Sequence, residues 1–133
     1  MGDTGAVTRI VIIGGGPGGY EAALVAADLG ADVTVVDRDG IGGSCVLWDC
    51  VPSKSLIATS EKVTAFRNAP GMGVNPGSPD AVTVDLHAVN RRVKALAIQQ
   101  SQDIAQRLAR SGVRIIPGVG RFSEAQPGRT FHV

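Results

Sequence analysis

Residues 9–19 read Arg9-Ile10-Val11-Ile12-Ile13-Gly14-Gly15-Gly16-Pro17-Gly18-Gly19, a β-branched run that ends abruptly in glycines. Ile and Val suit an extended, pleated backbone, so the composition predicts a strand over 9–13. No polar residue interrupts it to mark a solvated face, which predicts burial on both faces. From Tyr20 to Leu29 the pattern is helical and rich in alanine, and Gly30 stands where a C-cap glycine belongs. Residues 32–36, Asp-Val-Thr-Val-Val, read as a second strand ending on Asp37. Together these form a βαβ unit, for which a right-handed crossover is expected.

Within that unit Gly14, Gly16 and Gly19 have the spacing of a dinucleotide-binding turn. The first makes the tight turn, the second lets backbone approach a pyrophosphate, and the third packs helix against strand. With Pro17 and Gly18 they are the candidate phosphate-binding residues, because a helix N-terminus offers N–H groups and a positive dipole end. Asp37 follows about 20 residues later, where a carboxylate can accept bonds from ribose hydroxyls. A merely glycine-rich turn is the competing reading. The strand before, the helix after and the placed acid favour the dinucleotide site.

Both cysteines lie in Gly42-Gly43-Ser44-Cys45-Val46-Leu47-Trp48-Asp49-Cys50-Val51-Pro52-Ser53-Lys54. On a regular helix, residues five apart are about 8.7 Å apart by Cα, and a disulfide spans no more than about 7 Å. The thiols can pair only if the helix start is distorted, and Pro52 supplies a cause. A strained bridge is easily reduced, which suits a redox-active pair. Lys54 shares a helical face with Cys50. A nearby cation and a helix N-terminus both favour thiolate over thiol. The plainer reading is two small buried hydrophobes. No metal site is predicted, since His87 and His132 fit no ligand spacing with the pair.

With 133 residues, 44% of them hydrophobic and 19% charged, the chain suits one modest globular domain rather than a disordered segment. A net charge of +1 points to neither nucleic acid nor an anionic membrane. The first basic residue is Arg9, and glycines break up the only early apolar run. Neither a signal peptide nor a membrane span is predicted, and a cytoplasmic location is expected. In that compartment a redox-active disulfide is more natural than a permanent one.

Residues 44–68 read as a second helical stretch, disturbed at Pro52. A loop dense in Pro and Gly follows, through Pro79. From Asp85, a plausible N-cap, a long helix is predicted to about Ser111. Leu86, Val89, Val93, Leu96, Ile104 and Leu108 form its apolar stripe, and Gly112 caps it. Arg91, Arg92 and Lys94 read as its solvated face. Val113 to Ile116 is a third strand, and Thr130 to Val133 looks like a strand beginning.

Taken together, the glycine turn and Gly-Gly-x-Cys-x4-Cys-x-Pro-Ser-Lys resemble the N-terminal FAD-binding portion of the pyridine nucleotide-disulfide oxidoreductases, a family that includes dihydrolipoamide dehydrogenases. The resemblance spans nearly the whole chain. It implies a doubly wound, Rossmann-like α/β parallel sheet, with residues 1–133 forming an incomplete FAD-binding domain. NAD-binding and dimerisation domains, including the catalytic His and Glu of the family, would lie outside this chain. The flanking strand on the free side of 9–13 would be missing too, leaving an open edge that favours poor solubility of the piece by itself.

The resemblance further implies that Cys50 is the thiolate nearer the flavin and Cys45 the thiol that exchanges with substrate. Lys54 would lie beside the flavin ring. Asp37 and Arg38 would meet the adenosine end, Gly43 and Ser44 the pyrophosphate and its surroundings, and Gly120 the adenine. NAD(P)H would be the co-substrate, a disulfide or lipoyl group the second substrate, and the full-length protein a homodimer. Two departures stand out: Asp37 replaces the usual Glu, and Asp49 replaces a Gly before the second cysteine. A negative charge there disfavours a thiolate. The wording Val46-Leu47-Trp48-Asp49 is closer to a quinone-reductase branch, in which the flavin acts without disulfide exchange. A nucleotide-binding module without turnover is the remaining alternative.

Overall fold

The computed structural model describes residues 7–78 and 82–122. Strands β1 (Arg9–Ile13), β2 (Asp32–Asp37) and β3 (Arg114–Pro117) form a parallel sheet in that order. Ile10 is in register with Val33, Ile12 with Val35, and Val35 in turn with Ile115. Side chains alternate along strands, so these five residues share one face. Helices α1 (Pro17–Asp28) and α4 (Leu86–Arg110) supply the core residues packed on it. Between β2 and β3 the chain also forms α2 (Gly43–Leu47), α3 (Cys50–Asn68) and a 3-10 turn at Ala69–Met72. The Thr130–Val133 run lies outside the described residues.

The core joins Ala23 and Leu24 of α1 to Val33 and Val35 of β2 and Leu108 of α4. Leu108 is fully buried at the centre. Leu108→Ala is expected to cost about 2–5 kcal/mol, because the transfer energy of the lost atoms adds to that of an unfilled cavity. Equilibrium denaturation checks it: the midpoint should fall at unchanged slope.

On the opposite face Val11, Ile13 and Ile116 remain 46%, 41% and 41% exposed. β1 is therefore buried on one face, not on both. An unbroken apolar run cannot reveal whether the covering layer lies in the same stretch of chain. Among the described residues β1 pairs with β2 alone, so it forms the sheet edge.

Helix α1 begins at Pro17 rather than Tyr20. Proline suits the first helical position, where its missing N–H has no intrahelical partner to lose. At the other end Gly30 and Ala31 donate to the carbonyls of Ala27 and Ala26, a Schellman closure.

The stretch 44–68 is two helices, not one. Pro52 offers no N–H to the Trp48 carbonyl, and its ring crowds that carbonyl. A continuous helix cannot pass residue 48, and the N–H groups of Trp48 and Asp49 both turn back to Ser44 O at 2.9 Å.

In α4 the Asp85 carboxylate caps the Ala88 N–H at 3.0 Å, as expected. Its buried line is Val93, Ala97 and Leu108, whereas Leu86 is 70% and Leu96 44% exposed. Small Ala97 and Ser101 lie on the inner line because α4 runs close to the sheet and to α2 there; Ser101 Oγ donates to the Ile41 carbonyl.

Candidate functional site

The Gly14–Gly19 turn leaves β1 at its C-terminal end, with Gly14 at φ +102°. A Cβ on Gly19 would stand 1.9 Å from the Gly14 carbonyl oxygen, so only glycine lets α1 start this close to the strand. Around Gly16 and Gly18, by contrast, a Cβ would meet nothing within 4 Å. That open backbone is the cradle a phosphate needs, and no side chain caps the α1 N-terminus above it. The residues present therefore fit a pyrophosphate.

Asp37, at the end of β2, holds the turn from behind. Its Oδ2 accepts from the Gly15 N–H at 2.6 Å, and its Oδ1 from the N–H groups of Asp39 and Gly40 at 2.8 Å each. Much of this carboxylate's accepting capacity is thus spent on backbone. The shorter Asp reaches back into its own turn, where a longer side chain would extend past it. Arg38 is exposed and makes a two-bond pair with Asp39, 3.0 Å for each bond. That bond holds the Asp39 carboxyl below the usual carboxylate range.

The thiol stretch docks directly on the glycine turn. Gly42 N–H donates to the Gly15 carbonyl at 2.7 Å, and a Cβ on Gly43 would lie 2.9 Å from the Gly16 Cα. Gly43, at φ +56°, starts α2, so Cys45 sits two residues beyond the contact. Cys50 opens α3 on the far side of the break. Both cysteines are free and half-buried.

Cys45, the thiol expected to exchange with substrate, lies beside Cys50 and Asp49. Its thiol is pushed above the usual cysteine range, first by hydrogen bonding to Cys50, then by desolvation and by the negative charges of Cys50 and Asp49. Lys54 opposes the shift and is the weakest influence. The exposed Lys54 ammonium faces water, which screens it. Ser44 is exposed beside Gly43. Gly120 lies against β1, where a Cβ would come within 3.0 Å of the Ile13 side chain.

Two contributors escape the sequence pattern. Ser101 pins the loop before α2 to α4. Arg92, read as part of a solvated face, donates to Ser55 O at 3.1 Å and Thr59 Oγ1 at 2.7 Å, tying α4 to α3. An isolated Ser or Arg carries no spacing signal for such contacts. Beside the break, an apolar groove of about 420 Å³ is walled by Leu47, Trp48, Pro52 and Val93, with Trp48 72% exposed.

A parallel sheet feeding an uncapped glycine turn, with a thiol pair seated against it, is a partial Rossmann-like fold of the FAD-binding type. The chain belongs to the pyridine nucleotide-disulphide oxidoreductase family, whose pattern matches residues 8–132. It is 50% identical over 129 residues to an NAD(P)H dehydrogenase (quinone) of Mycobacterium tuberculosis, covering 95% of this chain and 26% of that protein. A dihydrolipoyl dehydrogenase of Zymomonas mobilis is 35% identical over 117 residues, covering 88% and 24%. The crystal structure of LpdA from Mycobacterium tuberculosis superposes with a TM-score of 0.82 at 48% identity, covering 92% of this chain and 26% of that one. The chain thus spans about a quarter of the length of these relatives. Among the described residues no helix is long and apolar enough to cross a membrane.

Proposed function

We propose that residues 1–133 are the N-terminal, FAD-binding part of an NAD(P)H-dependent oxidoreductase whose Cys45–Cys50 pair passes electrons to a disulfide acceptor. The observation that carries this reading is the seating of Gly43 on Gly16, which sets the thiol-bearing helix start against the phosphate cradle. The open backbone at Gly16 and Gly18 and the uncapped α1 would hold the FAD pyrophosphate. Asp37 would keep the turn in shape and Gly120 would keep its approach clear. FAD, when bound, supplies two-electron chemistry between NAD(P)H and the thiols.

The chain's own part is thiol exchange. The Cys45 thiolate attacks one sulfur of the substrate disulfide and expels the other as a thiolate, which takes a proton from water. The Cys50 sulfur then attacks Cys45, releasing the second substrate thiol and leaving a Cys45–Cys50 bridge. Two electrons have left the pair, and the bridge must be reduced again from NAD(P)H. The break at Trp48–Asp49 lets the sulfurs meet across a separation that a regular helix would hold too wide.

A second reading is supported by the relative named as a quinone dehydrogenase. Here a quinone would be reduced by the flavin directly, with the groove beside Trp48 as a flat apolar approach. In either reading, NAD(P)H binding and any homodimer contacts would fall to residues outside this stretch. Purified full-length protein is expected to show flavin absorbance, as isolated or after reconstitution. Two-electron reduction should raise a long-wavelength thiolate–flavin band that Cys50→Ser removes. Full-length protein that takes up no FAD would overturn the proposal.

A further inference from the structure

The two cysteines lie on opposite sides of the break. α2 ends at Leu47 and α3 begins at Cys50; between them Trp48 (φ −127°, ψ −23°) and Asp49 (φ −125°, ψ −88°) leave helical geometry. A helix kinks where its hydrogen-bond ladder is interrupted, so the angle between α2 and α3 is left to what each packs against. Both pack against α4. Leu47 of α2 and Pro52 of α3 share one groove with the buried Val93 and Ala97 of α4. Each side is also tied to α4 by hydrogen bonds. Before the break, Ser101 Oγ donates to the carbonyl of Ile41, the residue ahead of the α2 N-cap Gly42. After it, Arg92 donates to Ser55 O at 3.1 Å and to Thr59 Oγ1 at 2.7 Å, on the helix that Cys50 opens. Both ties spring from one unbroken helix, Leu86–Arg110, which sets them about 13 Å apart along its axis.

We propose that α4 is the template for the thiol pair: Ser101 and Arg92 are positioning residues that hold the Cys45 side and the Cys50 side of the break at the separation from which the two sulfurs close. This deepens the thiol-exchange reading and rests on it. Cys50 is a hydrogen-bonding neighbour of Cys45 while both thiols are free. The ties thus order the dithiol before its bridge forms, and less entropy remains to be lost on closure. They act in series. The separation of the sulfurs is set from Cys45 back to Ile41 and Ser101, along α4 to Arg92, and through α3 to Cys50. Releasing either tie frees that separation, and releasing the second adds little.

The test equilibrates the full-length protein anaerobically with mixtures of reduced and oxidised glutathione. The two protein thiols become one S–S bond, and their two electrons and two protons turn one glutathione disulfide into two thiols. Acid quenching, iodoacetamide labelling and mass spectrometry of the peptide holding both cysteines give the bridged fraction. Ser101→Ala should lower the bridge-forming constant about 2- to 10-fold, the range of one net hydrogen bond. Arg92→Ala should lower it about threefold, since a charged donor contributes less where its bonds are exposed. The double variant should fall no further than Ser101→Ala, whereas independent effects would multiply. Val33→Ala opens the core at the end of β2 remote from the glycine turn. It should lower the thermal midpoint and leave the constant unchanged, which separates positioning from general stability. An unchanged constant in either single variant would overturn the template. So would multiplied effects in the double variant, or an equal fall in Val33→Ala. A wild-type protein that forms no Cys45–Cys50 bridge would sink the exchange reading and the template with it. A wild type that bridges while the variants match it would sink the template alone.

Discussion

Gly16→Ala is expected to leave the full-length protein folded but weaken its hold on FAD, while Gly19→Ala destabilises the fold itself. The two glycines are three residues apart in one turn, but their surroundings are opposite. At Gly16 the backbone is extended, φ −67° and ψ −179°, a conformation alanine adopts without strain. Its Cβ would meet no protein atom within 4 Å. The methyl would instead occupy the space where a phosphate approaches. Flavin affinity should fall roughly 10- to 100-fold, the equivalent of the 1–3 kcal/mol that an overpacked contact costs. At Gly19 a Cβ would lie 1.9 Å from the Gly14 carbonyl oxygen. Backbone cannot rotate away as a side chain can, so α1 must shift off β1 and take Ala23 and Leu24 out of the core. A loss of at least about 3 kcal/mol is expected, the upper range for overpacking. Denaturation midpoints and bound-flavin ratios of both variants check the pair. A Gly16→Ala protein that keeps full flavin affinity would show that the turn holds something else.

Cys45→Ser is the second large effect. If the Cys45–Cys50 pair carries electrons to disulfides, a serine hydroxyl cannot replace a thiolate as nucleophile or leaving group. Disulfide reduction should then fall by at least about 10³-fold, the scale of removing a catalytic nucleophile. Quinone reduction with NAD(P)H should persist, because that path needs no sulfur. The two activities are measured on one preparation, so a folding defect would lower both and is recognised at once. Disulfide turnover that survives in Cys45→Ser would exclude the exchange mechanism and leave the flavin-only reading.

Much of the framework was legible because it is built from local rules. The β-branched runs at 9–13 and 32–36, the glycine spacing between them and the acid at Asp37 each have a meaning within a few residues. Asp85 marked the start of α4 and Gly112 its end for the same reason: a cap satisfies backbone groups of its own helix. Where the sequence pattern misled, a distant partner was involved. Arg92 does lie on the exposed face, but nothing near it in sequence shows that α3 comes within reach of its guanidinium. Leu96 looked like core because leucine is apolar, but the inner line of α4 passes through Ala97.

The sequence by itself determined the βαβ unit, the glycine turn and the place of the two thiols, since backbone preference and residue spacing suffice for these. Only the tertiary structure decided what those parts do to one another. It spent the Asp37 carboxylate on three backbone N–H groups, seated Gly43 on Gly16, and left one face of β1 exposed. It also split the stretch before Pro52 into two helices. Each of these depends on which atoms meet across elements, and a hydrogen bond or a close backbone approach leaves no period in the chain that makes it.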